Sequence, residues 1–224
     1  MGSAEYNVII REEQGVSETA DFWRGDFGDA YSRRNDSADL LKSKEWMFRK
    51  ALSPLFTASP QRIIEFGANI GLNIDALRRI DVFSMCEYSA VEVNAAACER
   101  LREKKVSTFE MSMLSEEREW GKGYDLALSV GVLIHVDPKD LSAAYDALYS
   151  ASKRWIYLAE YHSPTPVEIK YRGHDGKLFK RDFAAEMLDS FPDLRVRDYG
   201  FCWRRDPNAP ADDLVWTLLS KESK

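Results

Sequence analysis

The chain has 224 residues, 45% of them apolar, and carries 31 basic against 37 acidic side chains for a net charge of −6. A chain of this length buries one sizeable core, and its acidic balance argues against nucleic acid as main partner and for a small molecule. No apolar run approaches the roughly 18–20 residues that cross a bilayer, so no membrane partner is expected.

The start, MGSAEYNVII, lacks the basic leader and apolar core of a secretory signal. Cys86, Cys98 and Cys202 form neither an even framework nor a close pair and read as reduced thiols. A single cytoplasmic domain over residues 1–224 is expected. No His/Asp cluster stands at ligand spacing, so no metal is expected.

A polar, aromatic-dotted segment comes first. Ser43 to Leu55 then reads as a helix that stops beside Pro54, and Arg62 to Phe66 reads as a first strand. Ile70, Ile74, Leu77 and Ile80 repeat at helical spacing. Tyr88–Val93 is a second strand and Ala95–Lys104 its helix; Thr108–Met111 is a short, weakly marked third strand. Tyr124–Val130 is a fourth, Leu141–Ser152 a helix, and Lys153–Glu160 a fifth. From Tyr161 to Lys180 the pattern breaks into a polar loop with Pro164, Pro166, Gly173 and Gly176. Phe183–Ser190 is helical, with Asp182 as its N-cap. Leu194–Gly200 and Leu214–Ser220 read as an antiparallel hairpin at a sheet edge. The alternation predicts an α/β fold on a mostly parallel sheet.

The first strand runs into IIEFGANIGLN, Ile63 to Asn73. Gly67 admits backbone angles that a Cβ forbids, and Gly71 allows close approach. The spacing is E-x-G-x-x-x-G, not the dinucleotide G-x-G-x-x-G, which counts against a dinucleotide oxidoreductase. Asn69 takes the place of a middle glycine and tolerates the left-handed region. Alone, the loop is equally a structural turn. Glu92, at the end of the second strand about 20 residues on, stands where a carboxylate accepts the two hydroxyls of a ribose. Its other reading is a cap for the helix starting near Asn94.

Loop, strand and acid together, with MSML (Met111–Leu114) and YDLALSVGVLIHV (Tyr124–Val136), resemble the class I S-adenosylmethionine-dependent methyltransferases over roughly Arg62 to Glu160. That resemblance implies a Rossmann-like sandwich with a seven-stranded sheet, and S-adenosylmethionine as cofactor. It implies that Glu65 and Gly67, in a loop with Asn69, Gly71 and Asn73, approach the methionine moiety. Glu92 and Val93 would meet the ribose, Ser112 and Met113 the adenine, and Ser129 and Gly131 the methyl-bearing side.

Two further stretches are more particular: FWRGDFGDAYSRRN (Phe22–Asn35) and AEYHSPTPVEIKYRGHDGKLFKRDFAAEMLDSFPDLRVRDYGF (Ala159–Phe201). With GVLIHV and RRDPNAPADDLVWTLL they are similar to the methylases associated with pseudaminic acid biosynthesis loci. The similarity implies a sugar, sugar nucleotide or nonulosonic-acid-like acceptor, in carbohydrate biosynthesis. Residues 1–55 read as an N-terminal helical lid segment, whose Tyr31 and Arg34 could face the cofactor's carboxylate. In the blander reading Trp23 and Phe27 only pack a surface helix and Arg34 is solvated.

The three histidines, His135, His162 and His174, fall in or beside the loops at the strands' carboxyl ends. Histidine takes a proton near neutral pH, so His135 or His162 is the candidate base. Glu160 and Tyr161, emerging together from the fifth strand, would position the substrate; the structural alternative puts Tyr161 in the core and Glu160 in a salt bridge. In the insert 161–182, Tyr171, Arg172, His174, Lys177 and Arg181 either clasp an anionic group of the substrate or form a solvated face. The expected activity is methyl transfer to an O or N atom of a small polar metabolite. An amino acid or guanidino acceptor, or a non-catalytic nucleoside-binding module, are the alternatives.

Overall fold

Ser37 opens the first long helix. Its hydroxyl accepts the amide hydrogen of Leu40 at 3.2 Å, with Asp39 in the first turn and Arg49 and Lys50 in the last, charges that suit the helix dipole. The structure, a computed structural model, describes residues 18–34 and 37–222, the side chains of 18, 19, 33 and 34 excepted. Two short helices, α1 (Glu18–Arg24) and α2 (Asp26–Arg34), precede this one, α3 (Ala38–Ala51). α3 begins ahead of the expected Ser43 because Ser37 caps it. It stops at Ala51, and Pro54 falls in a separate 3-10 turn, Ser53–Leu55.

β1 (Arg62–Phe66), α4 (Leu72–Arg78), β2 (Glu87–Glu92), α5 (Ala95–Glu103), β3 (Ser107–Glu110) and β4 (Tyr124–Val130) follow. Next come α6 (Leu141–Ala151) and β5 (Ser152–Glu160). A two-stranded ribbon, β6 (Val167–Glu168) with β7 (Phe179–Lys180), stands where the sequence reads as a plain polar loop. Strands of two residues carry no alternation for a sequence to display. α7 (Phe183–Ser190), capped by Asp182, leads to β8 (Leu194–Phe201) and β9 (Val215–Lys221).

The seven-stranded sheet has the order β3-β2-β1-β4-β5-β9-β8. β1 to β5 pair in parallel, and β9 pairs antiparallel with both β5 and β8, so it alone runs against the rest. β8 and β9 do pair as the antiparallel C-terminal hairpin, but through the long connection 202–214.

Side chains alternate between two covered faces. Ile63, Leu126, Leu128, Tyr157 and Trp216 meet Phe48 and Leu52 under α3, with Ile74 and Leu77 of α4. Ile64, Ala127, Ile156, Leu158 and Leu219 face Leu148 of α6 and Met187 of α7. Each large side chain so buried contributes about 1.5–3 kcal/mol relative to exposure. No helix among the described residues is long and apolar enough to cross a membrane. Because β1 to β5 are parallel, the chain leaves all five at one edge, and loops from distant parts of the sequence gather there.

Candidate active site

At that edge lies a cavity of about 550 Å³, within the range of small-molecule sites. Its floor is the bend after β1. Gly67 sits at φ 68° and Asn69 at φ 49°, positions that suit glycine and are tolerated by asparagine. A Cβ on Gly67 would lie 2.6 Å from Cγ2 of Val132, so a side chain there would jam the bend against the loop after β4. Gly71 is bare for another reason. Its Cβ would lie 2.8 Å from Cδ2 of Leu101, so it permits α4 and α5 to pack and does not line the cavity.

Glu92 closes β2 at 8% exposure. One carboxylate oxygen accepts the amide hydrogens of Val93 and Asn94 at 2.8 and 2.9 Å, and the other accepts that of Asn69 at 2.7 Å. Burial raises its pKa, and these bonds oppose the rise. Glu92 is not the cap of α5: Asn94 fills that role, its Oδ1 accepting from Ala97 at 2.9 Å. A carboxylate has roughly four acceptor sites, so one remains for a ligand, where the sequence reading asks for two.

Elsewhere on the wall Lys44 of α3 donates to Asn73 Oδ1 at 2.7 Å, and Asn73 Nδ2 donates to Glu65. Burial pushes Glu65 up to about 8, eased by the Asn73 bond and the charge of Lys44. Burial likewise lowers Lys44, against the pull of Glu65 and Asp212. Glu65 Oε2 is buried with no hydrogen-bond partner among the described residues. Lys44, Asn73 and Asp212 line the cavity, while Glu65 lies behind them.

His135 ends a 3-10 turn, Leu133–His135, after β4. Its Nδ1 lies 2.6 Å from the Lys177 carbonyl oxygen. A carbonyl only accepts, so Nδ1 carries the hydrogen and Nε2 keeps a lone pair. Burial drives its pKa down to about 4, against that bond, so the imidazole is neutral at physiological pH. Its ring is flanked by Trp23 at 4.7 Å and Tyr171 at 5.0 Å between centroids.

The roof is built by α1 and α2. Asn94, besides capping α5, donates to Asp29 at 2.7 Å and to the Trp23 carbonyl at 3.4 Å. Trp23 and Tyr31 line the cavity, and Phe22 and Phe27 pack on His174 of the insert at 5.1 and 5.8 Å. The aromatics of this segment thus close over the site.

Of the residues the sequence singles out, the structure brings to one cavity Gly67, Asn69, Asn73, Glu92, Val93, Ser112, Met113 and Gly131, with Tyr31, His135, Tyr161, Tyr171 and Arg172. Others lie off the wall. Ser129 is fully buried and donates to Glu160, whose carboxylate turns inward to the β4 loop, forms no salt bridge among the described residues and does not line the cavity. His162 stands 4.0 Å from Asp182, outside the cavity. Arg181 is taken by Glu186 at 2.7 Å. His174 and Lys177 support the roof, Lys177 through its carbonyl and an ammonium 5.3 Å above the Phe22 ring. The Arg34 side chain lies outside the described residues. Sequence reasoning missed Lys44 and Asp212. Lys44 follows the buried Ser43 on α3, and only packing distinguishes it from the solvated lysines of that helix.

No family model matches the chain, and no curated protein matches it. Solved structures do. Magnesium protoporphyrin IX methyltransferase from Synechocystis PCC 6803, with bound SAH, aligns with a TM-score of 0.65 at 12% identity, covering 91% of this chain and 97% of that one. A SAM-dependent methyltransferase from Leishmania major gives 0.67 at 15% over 91% and 81%. The 1,6-didemethyltoxoflavin-N1-methyltransferase of Burkholderia thailandensis gives 0.62 at 15% over 92% and 87%. What these likenesses establish is the fold, the Rossmann-like sandwich that such methyltransferases share.

Proposed function

We propose that this protein catalyses S-adenosylmethionine-dependent methyl transfer to an oxygen or nitrogen atom of a small polar metabolite. The observation that carries the reading is one cavity that joins the glycine bend after β1, Glu92 at the end of β2 and a neutral His135 after β4.

The residues present fit the cofactor. Glu92 keeps an acceptor site for a ribose hydroxyl beside the bend at Gly67 and Asn69, and Ser112 and Met113 supply a wall for the adenine. Lys44, Asn73 and Tyr31 are the polar groups at hand for the amino-acid end. When bound, S-adenosylmethionine supplies an activated methyl group. The chain's own contribution is alignment and proton removal. His135 takes the acceptor's proton at Nε2, Tyr161 and Tyr171 flank the acceptor, and Arg172 meets an anionic group on it. Closure by α1 and α2 excludes water.

The acceptor we favour is a sugar, sugar nucleotide or nonulosonic-acid-related compound, in a cytoplasmic pathway of the pseudaminic acid type. Two things support it: the resemblance over Phe22–Asn35 and Ala159–Phe201, and a cavity mouth that combines aromatic rings with an arginine lacking an ion pair among the described residues. The porphyrin and toxoflavin compounds named for two of the structural neighbours are small molecules, which supports the coarser reading only. The test is calorimetry with S-adenosylmethionine, followed by release of S-adenosylhomocysteine against a panel of sugar acids, sugar nucleotides and amino acids. Binding in the micromolar range with turnover on a sugar acid is expected. Absence of binding sinks the whole reading, and turnover confined to amino acids sinks the acceptor class.

A further inference from the structure

The turn that presents His135 has no side-chain cap of its own. Its leading amide hydrogens, on Val132, Leu133 and Ile134, lack partners within the turn and would be costly to bury unpaired. Glu160 takes all three. Its Oε1 accepts from Val132 and Leu133 at 3.2 Å each, its Oε2 accepts from Ile134 at 3.4 Å, and the Ser129 hydroxyl donates to Oε1 at 2.7 Å.

Topology explains why position 160 can do this. β4 leaves the sheet after Val130, which pairs with Ala159. Glu160 is still held on its other side by Val215 of β9, but on the β4 side it has no strand neighbour. Its carboxylate occupies that gap at 3% exposure. Burial pushes its pKa up to about 7, opposed by the Ser129 bond and the three amides.

We propose that Glu160 is a positioning residue: it caps, from a neighbouring strand, the turn that carries His135, and so sets where the imidazole lies and which ring nitrogen stays free. The mechanical link is short. The His135 amide donates to the Val132 carbonyl at 2.9 Å, and its ring reaches the Lys177 carbonyl. Slackening the first amides of a one-turn helix shifts its last residue, and with it the Nδ1 bond that fixes the tautomer. This inference rests on His135 being the base, and it gives Glu160 a supporting place instead of a substrate contact.

Glu160→Gln in the full chain is the test. An amide offers one acceptor oxygen and turns its NH₂ toward N–H donors, so at least one buried amide loses its partner. With S-adenosylhomocysteine as probe, the Kd is expected to stay within about threefold of the parent. Amide exchange at Val132, Leu133 and Ile134 is expected to quicken by about tenfold or more, and the His135 ring nitrogen resonances to move from the Nδ1–H tautomer toward a mixture. Parent-like protection of the three amides in folded Glu160→Gln overturns the proposal. So does lost protection with unchanged His135 resonances. Should Glu160→Gln not fold, Glu160→Asp, charged but one methylene short, is held to the same two criteria.

With an acceptor in hand, Glu160→Gln should lower kcat about tenfold or more at an unchanged KM for S-adenosylmethionine. It should cost nothing further in a His135→Ala background. Full additivity of the two changes overturns the link. A parent-like kcat in His135→Ala alone sinks the base assignment but leaves the amide result standing, so the two failures are told apart.

Discussion

His135 owes its neutrality to burial between Trp23 and Tyr171, and its tautomer to a backbone carbonyl. As the proposed base, an imidazole so held needs no deprotonation step near pH 7. His135→Ala is expected to reduce turnover by about a hundredfold or more while calorimetry with S-adenosylhomocysteine shows an unchanged Kd. Glu92→Ala tests the opposite half of the site. Loss of a charged acceptor costs roughly 1.5–3 kcal/mol, which is about ten- to a hundredfold in cofactor affinity. The chain should still fold, with a lower melting temperature, because Asn69, Val93 and Asn94 lose their common acceptor. Unchanged binding in that variant would remove Glu92 from the cofactor site.

Among the elements, the insert shows what a sequence can and cannot display. Tyr171–His174 closes as a tight turn, with both backbone bonds between Tyr171 and His174 made, at 2.8 and 2.9 Å, and with Arg172 at φ 49° and Gly173 at φ 91°. Glycine or asparagine normally holds the place of Arg172 in such a turn. An arginine there gives up roughly 1 kcal/mol of backbone comfort, a sacrifice that fits a side chain placed for a ligand. Arg172→Gly should therefore raise the melting temperature by about 2–4 °C and raise the KM for the acceptor by about tenfold or more. A stabilised variant with unchanged KM would show Arg172 to be incidental.

The polar run 171–177 is legible as a feature in the sequence, but its turn geometry is not, since that depends on β6 and β7 pairing across ten residues of polar chain. The strands β1, β2, β4 and β5 were legible because each is a run of apolar or β-branched residues bounded by polar breaks. Which histidine faces the cavity was not: His135 and His162 each follow a strand, and only the packing of Trp23, Tyr171 and Asp182 separates them.

For the molecule as a whole, several buried groups bind protons differently in the folded and unfolded chain, His135, Glu65 and Glu160 among them. His135 drops from 6.5 to about 4 on folding, so the unfolded chain holds more protons between those values, and stability falls as pH falls through that window. Glu65 rises from 4.5 to about 8 and Glu160 from 4.5 to about 7, so their contributions decline as pH rises across those ranges. Glu92, also raised by burial, joins the two carboxyls, while Lys44, lowered by burial, sides with the imidazole; the carboxyls outnumber them, so the melting temperature is expected to peak at about pH 5 and fall toward pH 8. Glu65→Gln removes the longer of the two declines. Its advantage over the parent should widen steadily from pH 5 to pH 8, and a gap that stays constant would place the ionisation elsewhere.

Trp23 from the N-terminal helices and Tyr171 from the insert both meet the His135 imidazole, their rings tilted at 56° and 57° to it with centroids 4.7 and 5.0 Å away. All three rings line the cavity that holds the glycine bend, so on the proposed reading an acceptor beside them would hinder exchange of the nucleoside. The nucleoside would then bind first and leave last. Steady-state kinetics should follow a compulsory sequence, in which the spent nucleoside competes with its own precursor and not with the molecule that receives the methyl group.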